Sequence, residues 1–345
     1  MKKQTYLEVI RILALICIIF NHTGEYGYLL FQTTGNEALR ILSICVSNFC
    51  KIGVPLFFMI SGALLLPKQE SLKDLFLKRI LRLVVVLVLF SFIYYIRLYL
   101  QHPEYGFSLF FFVKLIYAEP FITPFWFLYS YLAFLLMLPL LRRMVKTMSE
   151  QDFLYFGIGA FLLLFLIKIP EYVFESSINI SIPLLTTNIL FPLLGYYIAY
   201  HLPEGFTCRK NHLMLLLLFF INSFCCIAMT LYDFSRKGSF AVVFIEEFTL
   251  IPAFTIFYFI KYLWSGKTEK AGAEKIILYI GGCTFCTYLF EEMLRIDIFM
   301  KLLDKRQPSG MSLLLCIPYI AAILCTGVFI STILKRIPVV RWLKL

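Results

Sequence analysis

The stretch EVIRILALICIIFNH, Glu8 to His22, places an acid, a base and a proton carrier in an otherwise apolar run. Histidine takes up and returns protons near physiological pH. Arg11 and His22 are separated by about three helical turns, so on one helix they share a face roughly 16 Å apart, with Leu15 and Ile18 between them. Glu8 lies one turn before Arg11, within pairing reach. Inside a bilayer such groups are expensive, and function is their default explanation. Two blander readings stand beside it. His22 is an interfacial histidine at a helix end, and Arg11, about one turn inside the membrane, snorkels to the inner headgroups. The remaining histidines, His102, His201 and His212, fall at loops or span ends.

The elements that must position these residues are membrane helices. The chain has 345 residues, 61% of them hydrophobic and only 15% charged, with a mean hydropathy of +0.84. Soluble domains are nearer half apolar and about a quarter charged. Apolar stretches long enough to cross a bilayer recur along the whole chain. Ten spans are predicted: Tyr6–His22, Ile41–Leu66, Ile80–Leu100, Phe125–Leu141, Phe153–Ile169, Leu184–Tyr200, Leu213–Leu231, Phe240–Trp264, Ile276–Leu294 and Met311–Leu334. Helices are the spanning option, because no barrel-type alternation is present. Gly106–Tyr117 is apolar but short and reads as an interfacial or re-entrant piece.

Charge tests this layout. With the amino terminus inside, every inner connection is basic, and most of the 32 lysines and arginines fall on inner segments. The expectation is therefore an all-α polytopic membrane helical bundle of about ten transmembrane helices, both termini cytoplasmic. It forms one integral membrane domain over 1–345. The net charge of +11 follows from this topology facing an anionic inner leaflet, not from nucleic-acid binding. The first span resembles a signal peptide in its lysines and apolar core. No small-residue cleavage site follows, however, and Arg11 is foreign to such a core, so the span is expected to stay. The ten cysteines lie mostly inside spans, where they act as small hydrophobes. CTFC, Cys283 to Cys286, has metal or redox spacing but no second pair, and it reads as structural.

Further motifs follow in order: GVPLFFMISGALLL (Gly53 to Leu66), KRILRL (Lys78 to Leu83), FWFLYSYLAFLLMLPLL (Phe125 to Leu141), LFPLLGYYIAY (Leu190 to Tyr200) and GGCTFCTYLFEE (Gly281 to Glu292). Together with Arg-x10-His, this series resembles the acyltransferase-3 family of bacterial membrane O-acyltransferases over nearly the whole chain. The resemblance implies transfer of an acyl group, usually acetyl from acetyl-CoA, to a hydroxyl of an envelope or exported carbohydrate at the cell membrane. It implies no metal and names no protein partner. By the same resemblance, His22 and Arg11 match the essential histidine and arginine, and Lys78, Arg79 and Arg82 the donor-linked basic cluster. Ser61 and Gly62 match the Ser-Gly element, and Trp126, with Tyr129 in the same motif, the aromatic element of span four. Two departures stand out. Many members have a histidine just before the Trp-Phe-Leu element, where this chain has Thr123, Pro124 and Phe125. Many also end the ninth-span motif in histidine, where Tyr288-Leu289-Phe290 is followed here by Glu291.

The chemistry agrees with that implication. Acyl transfer to a hydroxyl needs a base to take the alcohol proton as the oxygen attacks the thioester. CoA phosphates call for arginine forks or lysine charges. Arg82 is the stronger candidate because it enters the apolar run one turn beyond Arg79, although positive-inside charge alone also explains the cluster. On the outer side, His22 is joined by Glu246, Glu247, Glu291 and Glu292. These line a substrate cavity, hold helices together or face the outer headgroups. A transporter or flippase of small molecules or lipid-linked glycans without acyl transfer, or a subunit of a polysaccharide exporter, is the alternative function.

Overall fold

The computed structural model describes residues 4–118, 120, 122–167, 170–171, 174, 176, 186–244, 246–264, 271–295, 308–337 and 342–343. Among them there is no strand, and the chain is an all-α polytopic helical bundle. Thirteen helices matter here: α1 Thr5–Asn21, α2 Glu37–Cys50, α3 Gly53–Leu65, α4 Leu72–Gln101, α5 Leu109–Ala118, α6 Trp126–Thr147, α7 Glu150–Ala160, α8 Thr187–Tyr200, α9 Arg209–Lys237, α10 Leu250–Trp264, α11 Ala271–Gly281, α12 Thr284–Leu294 and α13 Gly310–Leu334. Local chemistry sets several starts. The Asn36 side chain accepts from Leu39 N ahead of α2. Ser149 and Asp152 form a reciprocal capping box on α7.

Helix occurs at each of the ten predicted places, but not always as one straight span. Among the described residues five helices are long and apolar enough to cross a bilayer: Glu37–Leu65 (α2 with α3), α4, Thr123–Thr147, α9 and α13. A sixth is the pair α11 and α12, bent by 54° where Ile276–Leu294 reads as continuous. Helix α1 has 17 residues, α8 14 and α10 15. Only part of Phe153–Ile169 lies within the described residues, on α7 and a π-turn, Phe161–Leu166. Helix α5 has only 10 residues and is too short to cross.

The predicted span Phe240–Trp264 is corrected at its first half. It runs through two 3-10 turns, Ala241–Phe244 and Glu246–Thr249, before α10 begins. Non-helical backbone survives at membrane depth only where neighbours satisfy its carbonyls. Here the Lys51 ammonium donates to the Val243 carbonyl, and Asn222 Nδ2 donates to the Phe248 carbonyl at 2.9 Å. The break between α11 and α12 is met the same way. Lys335 Nζ donates to the Gly282 carbonyl at 3.0 Å, and Thr284 Oγ1 to the Gly281 carbonyl at 2.8 Å.

The bundle's centre is formed by α1 and α3. Helix α3 lies against α8, and α1 packs on α3, α10 and α11. The α3–α8 crossing is tight enough to explain the Ser-Gly motif. A Cβ at Gly62 would lie 1.9 Å from the Pro192 carbonyl oxygen, and one at Gly195 2.0 Å from that of Met59. Only glycine allows two backbones this close. The crossing fixes the face of α3 that carries Ser61.

Candidate active site

A cavity of about 360 Å³ runs between α1, α3, α4, α6 and the α11–α12 break. Arg11, Ser61, Lys68, Arg79 and Arg82 contribute its polar wall, and Phe57, Phe127, Tyr131, Phe285 and Tyr288 its aromatic wall. Arg11, Ser61, Arg79 and Arg82 are each placed by an identifiable local cause. Arg11 Nη1 donates to Glu8 Oε2 at 2.6 Å, the pairing that their one-turn spacing requires. Glu8 is buried, and α11 makes room for it at Gly281, where a Cβ would meet its Oε2 at 2.3 Å. The Ser61 hydroxyl donates to the Phe57 carbonyl one turn earlier at 2.8 Å, so on the cavity side it offers acceptor lone pairs.

Arg79 lies in a π-turn, Phe76–Ile80, that shifts the register of α4 just before Arg82. The turn separates the neighbours Lys78 and Arg79. Lys78 is exposed and pairs with Asp74 at 2.8 Å. Arg79 turns inward and forks onto Glu70, with Nε at 2.8 Å and Nη2 at 3.0 Å. Arg142 of α6 joins them, its Nη2 at 2.9 Å from Glu70 Oε1 and its Nε at 2.9 Å from the Leu65 carbonyl. Burial pushes the Glu70 carboxyl up, but hydrogen bonds and charge from Arg79 and Arg142 outweigh this and hold it below its ordinary range. Arg82 makes no ion pair with a described residue and faces the cavity.

Ile18 is the last residue of α1 to line the cavity, and Tyr288 the last of α12. One turn beyond each stand His22 and Glu291, with His22 Nδ1 and Glu291 Oε2 2.7 Å apart. The side chain of Glu291 is 1% exposed and that of His22 23%. Glu291 Oε1 is buried without a hydrogen-bond partner among the described residues. Engaging Nδ1 fixes the imidazole and leaves Nε2 as the nitrogen that can take a proton, the logic of a carboxylate-oriented catalytic histidine. The floor between cavity and pair is aromatic. Tyr288 Oη donates to the Pro124 carbonyl at 2.5 Å, and Phe125 is buried against Tyr94 with ring centroids 5.5 Å apart.

Against this geometry the comparisons give one positive finding. The acyltransferase-3 family model, described as an acyltransferase domain, matches residues 4–336. The chain belongs to the acyltransferase-3 family. No curated protein and no solved structure matches it. As an acyltransferase-3 member it is a membrane acyltransferase with an acyl donor and an acceptor.

The acyltransferase-3 site residues expected from sequence divide into three groups. Arg11, Ser61, Arg79 and Arg82 come together on the cavity, with Glu8 behind Arg11. His22 and Glu291 form the pair one turn beyond it. The rest lie elsewhere: Lys78 is on the outside of α4, and Trp126 is 39% exposed away from the cavity. Tyr129 spends its hydroxyl on the Ile116 carbonyl of α5 at 2.9 Å. Glu292 chelates Arg295 on its own helix, at 2.5 and 2.9 Å. The side chains of Glu246 and Glu247 lie outside the described part of the structure. The two missing histidines now have an explanation in packing. Phe125 fills one place with a buried ring, while Glu291 fills the other with the partner of His22. Sequence reasoning missed Glu70 and Arg142, since Arg142 passes as ordinary positive-inside charge and Glu70 as a solvated loop acid. It also missed Tyr288, where the spacing to Glu291 was a usable signal.

Proposed function

We propose that this acyltransferase moves an acyl group, acetyl in the simplest case, from cytoplasmic acyl-CoA to a hydroxyl of an envelope or exported carbohydrate in the bacterial plasma membrane. The observation that carries this reading is the alignment of a basic-walled cavity with a histidine–carboxylate pair just beyond its aromatic floor. A cavity begins among Arg11, Arg79, Arg82 and Lys68 and stops one helical turn short of the His22–Glu291 pair. The basic end suits the phosphates of a CoA donor. The aromatic wall suits the uncharged pantetheine arm, which would bring the thioester towards His22.

In the proposed step His22 Nε2 takes the proton of the acceptor hydroxyl as its oxygen bonds to the thioester carbonyl carbon. The carbon–sulfur bond then breaks, and the imidazolium returns that proton to the departing CoA thiolate. Glu291 holds the ring and stabilises its charged form. Arg11, fixed by Glu8, supplies positive charge along the arm's path. No residue in the cavity reads a particular sugar, so the carbohydrate class rests on the family resemblance.

Two experiments test this reading. Purified protein given radiolabelled acetyl-CoA and an envelope-glycan acceptor should transfer the label; acceptor movement without transfer would instead establish a transporter. With the native cysteines replaced, a cysteine at Thr33 should react with an impermeant thiol reagent on intact cells, and one at Gln69 only after the membrane is opened. The reverse pattern would put the basic end outside, where acyl-CoA is absent, and end the reading.

A further inference from the structure

Beside the first cavity lies a second, of about 450 Å³, between the segment from Lys68 to Leu75 and the end of α6. Helix α6 presents Pro139, Arg142, Arg143 and Lys146 to it, positions three and four apart that share one face. Lys68 lines both cavities, so they adjoin. Glu70 is the only carboxylate among the described residues on the second cavity's wall, and both its oxygens are committed to Arg79 and Arg142. Arg142 in turn gives Nε and Nη2 to the Leu65 carbonyl and Glu70, leaving Nη1 without a partner among the described residues. Arg143 and Lys146 are exposed and pair with no described carboxylate.

We propose that this second cavity binds the nucleotide-phosphate end of the acyl donor, and that Arg142, Arg143 and Lys146 select a donor carrying that end. Three features lead there. Its cations outnumber its one carboxylate, which is already neutralised by its partners. Arg79, one of the cations matched to the donor, gives Nε and Nη2 to Glu70, and Arg142 keeps only Nη1, so phosphate recognition in this cavity falls chiefly to the exposed Arg143 and Lys146. Adjacency through Lys68 lets one extended molecule place phosphates in the second cavity and its thin arm in the first. Glu70 then acts as a positioning residue, setting Arg79 and Arg142 where the two cavities meet. This inference rests on the acyl-CoA reading above and adds the residues that recognise the donor's far end. An anionic lipid headgroup offers the same phosphate chemistry from another source, and the experiment must separate the two.

The test uses the full chain in nanodiscs of zwitterionic lipid. CoA, dephospho-CoA and pantetheine are titrated against wild type and the surface double variant Arg143→Ala/Lys146→Ala, which removes no buried contact. The proposal expects CoA affinity at least about 10-fold weaker in the variant. It also expects a smaller loss for dephospho-CoA, none for pantetheine, and unchanged turnover of S-acetylpantetheine. Equal CoA affinity in the two proteins overturns the proposal while leaving the acyl-CoA reading intact. Equal losses for CoA and pantetheine overturn it too, since the effect would then not concern phosphate. If CoA affinity holds but the variant no longer retains phosphatidylglycerol by native mass spectrometry, the cavity is a lipid-headgroup site and the proposal falls. No CoA binding by wild type defeats both readings together.

Discussion

Around Glu70, two arginines from different helices hold one carboxylate while further cations line the cavities on either side. His22 has one direct ion pair among the described residues, with Glu291, whose carboxylate is almost wholly removed from solvent, while Glu292 and Arg295, already paired with each other, act on it only through space. The difference matches the two roles proposed above. Grouped, partly exposed cations share the work of holding a polyanion, so no one of them is indispensable and salt screens each. A single direct pair with one buried member has no substitute. It fits a step in which one proton must move at one atom.

The sharpest way to break the contrast is at the histidine end. His22→Ala should abolish transfer, a loss of about 10²–10⁴-fold, with insertion and expression intact because one span-end side chain adds little to packing. Retention of more than about a tenth of wild-type turnover in the radiolabel assay sinks the assignment. Glu291→Gln should cost less, on the order of 10²-fold in kcat with little change in the acceptor KM, since the amide keeps the shape but not the charge that orients the ring. If kcat holds while the thermal midpoint falls, Glu291 merely joins α12 to α1.

At the basic end single losses should be smaller and of another kind. Arg82→Ala should raise the KM for acyl-CoA by roughly 10- to 150-fold, the range of one charge-assisted contact, with kcat at saturation retained. A fall in kcat at unchanged KM would move Arg82 from binding to chemistry and erase the distinction between the two ends.

What could be read in advance follows the same divide. The pairing of Glu8 with Arg11, and a shared face carrying Arg11 and Ile18, follow from helical spacing alone. The helices themselves follow from hydropathy. Hydropathy counts apolarity and is blind to the hydrogen-bond ladder, so the break at Gly281–Cys283 and the 3-10 turns before Leu250 read as continuous spans. Their carbonyls are rescued by Lys51, Asn222 and Lys335, residues far away in sequence. Long-range pairs were hidden for the same reason. His22 and Glu291 are 269 positions apart, and topology gave both the same side of the membrane without giving the contact. Neither could spacing tell Arg79 from Lys78, because the π-turn that separates them leaves no mark in an apolar run.

The smallest effect concerns Glu70, which itself lies in the loop between α3 and α4, outside the spans, and is held by Arg79 of α4 and Arg142 of α6. Its carboxyl is held below the ordinary value, because the two arginines overcome the upward push of burial. A carboxyl lowered on folding stabilises the folded state fully above its unfolded pKa of about 4.3, and that stabilisation fades as pH drops through the lower folded value. Wild type should therefore exceed Glu70→Gln in thermal midpoint by an amount that stays constant from pH 7 to about pH 5 and narrows below it. The plateau should correspond to about 1 kcal/mol, as befits a partly exposed ionic network. Thermal unfolding of both proteins in the same detergent over this range reads the gap directly. A gap that does not narrow in acid would show that the variant's defect is one of shape, and Glu70 would no longer count as the charge that sets Arg79 and Arg142 in place.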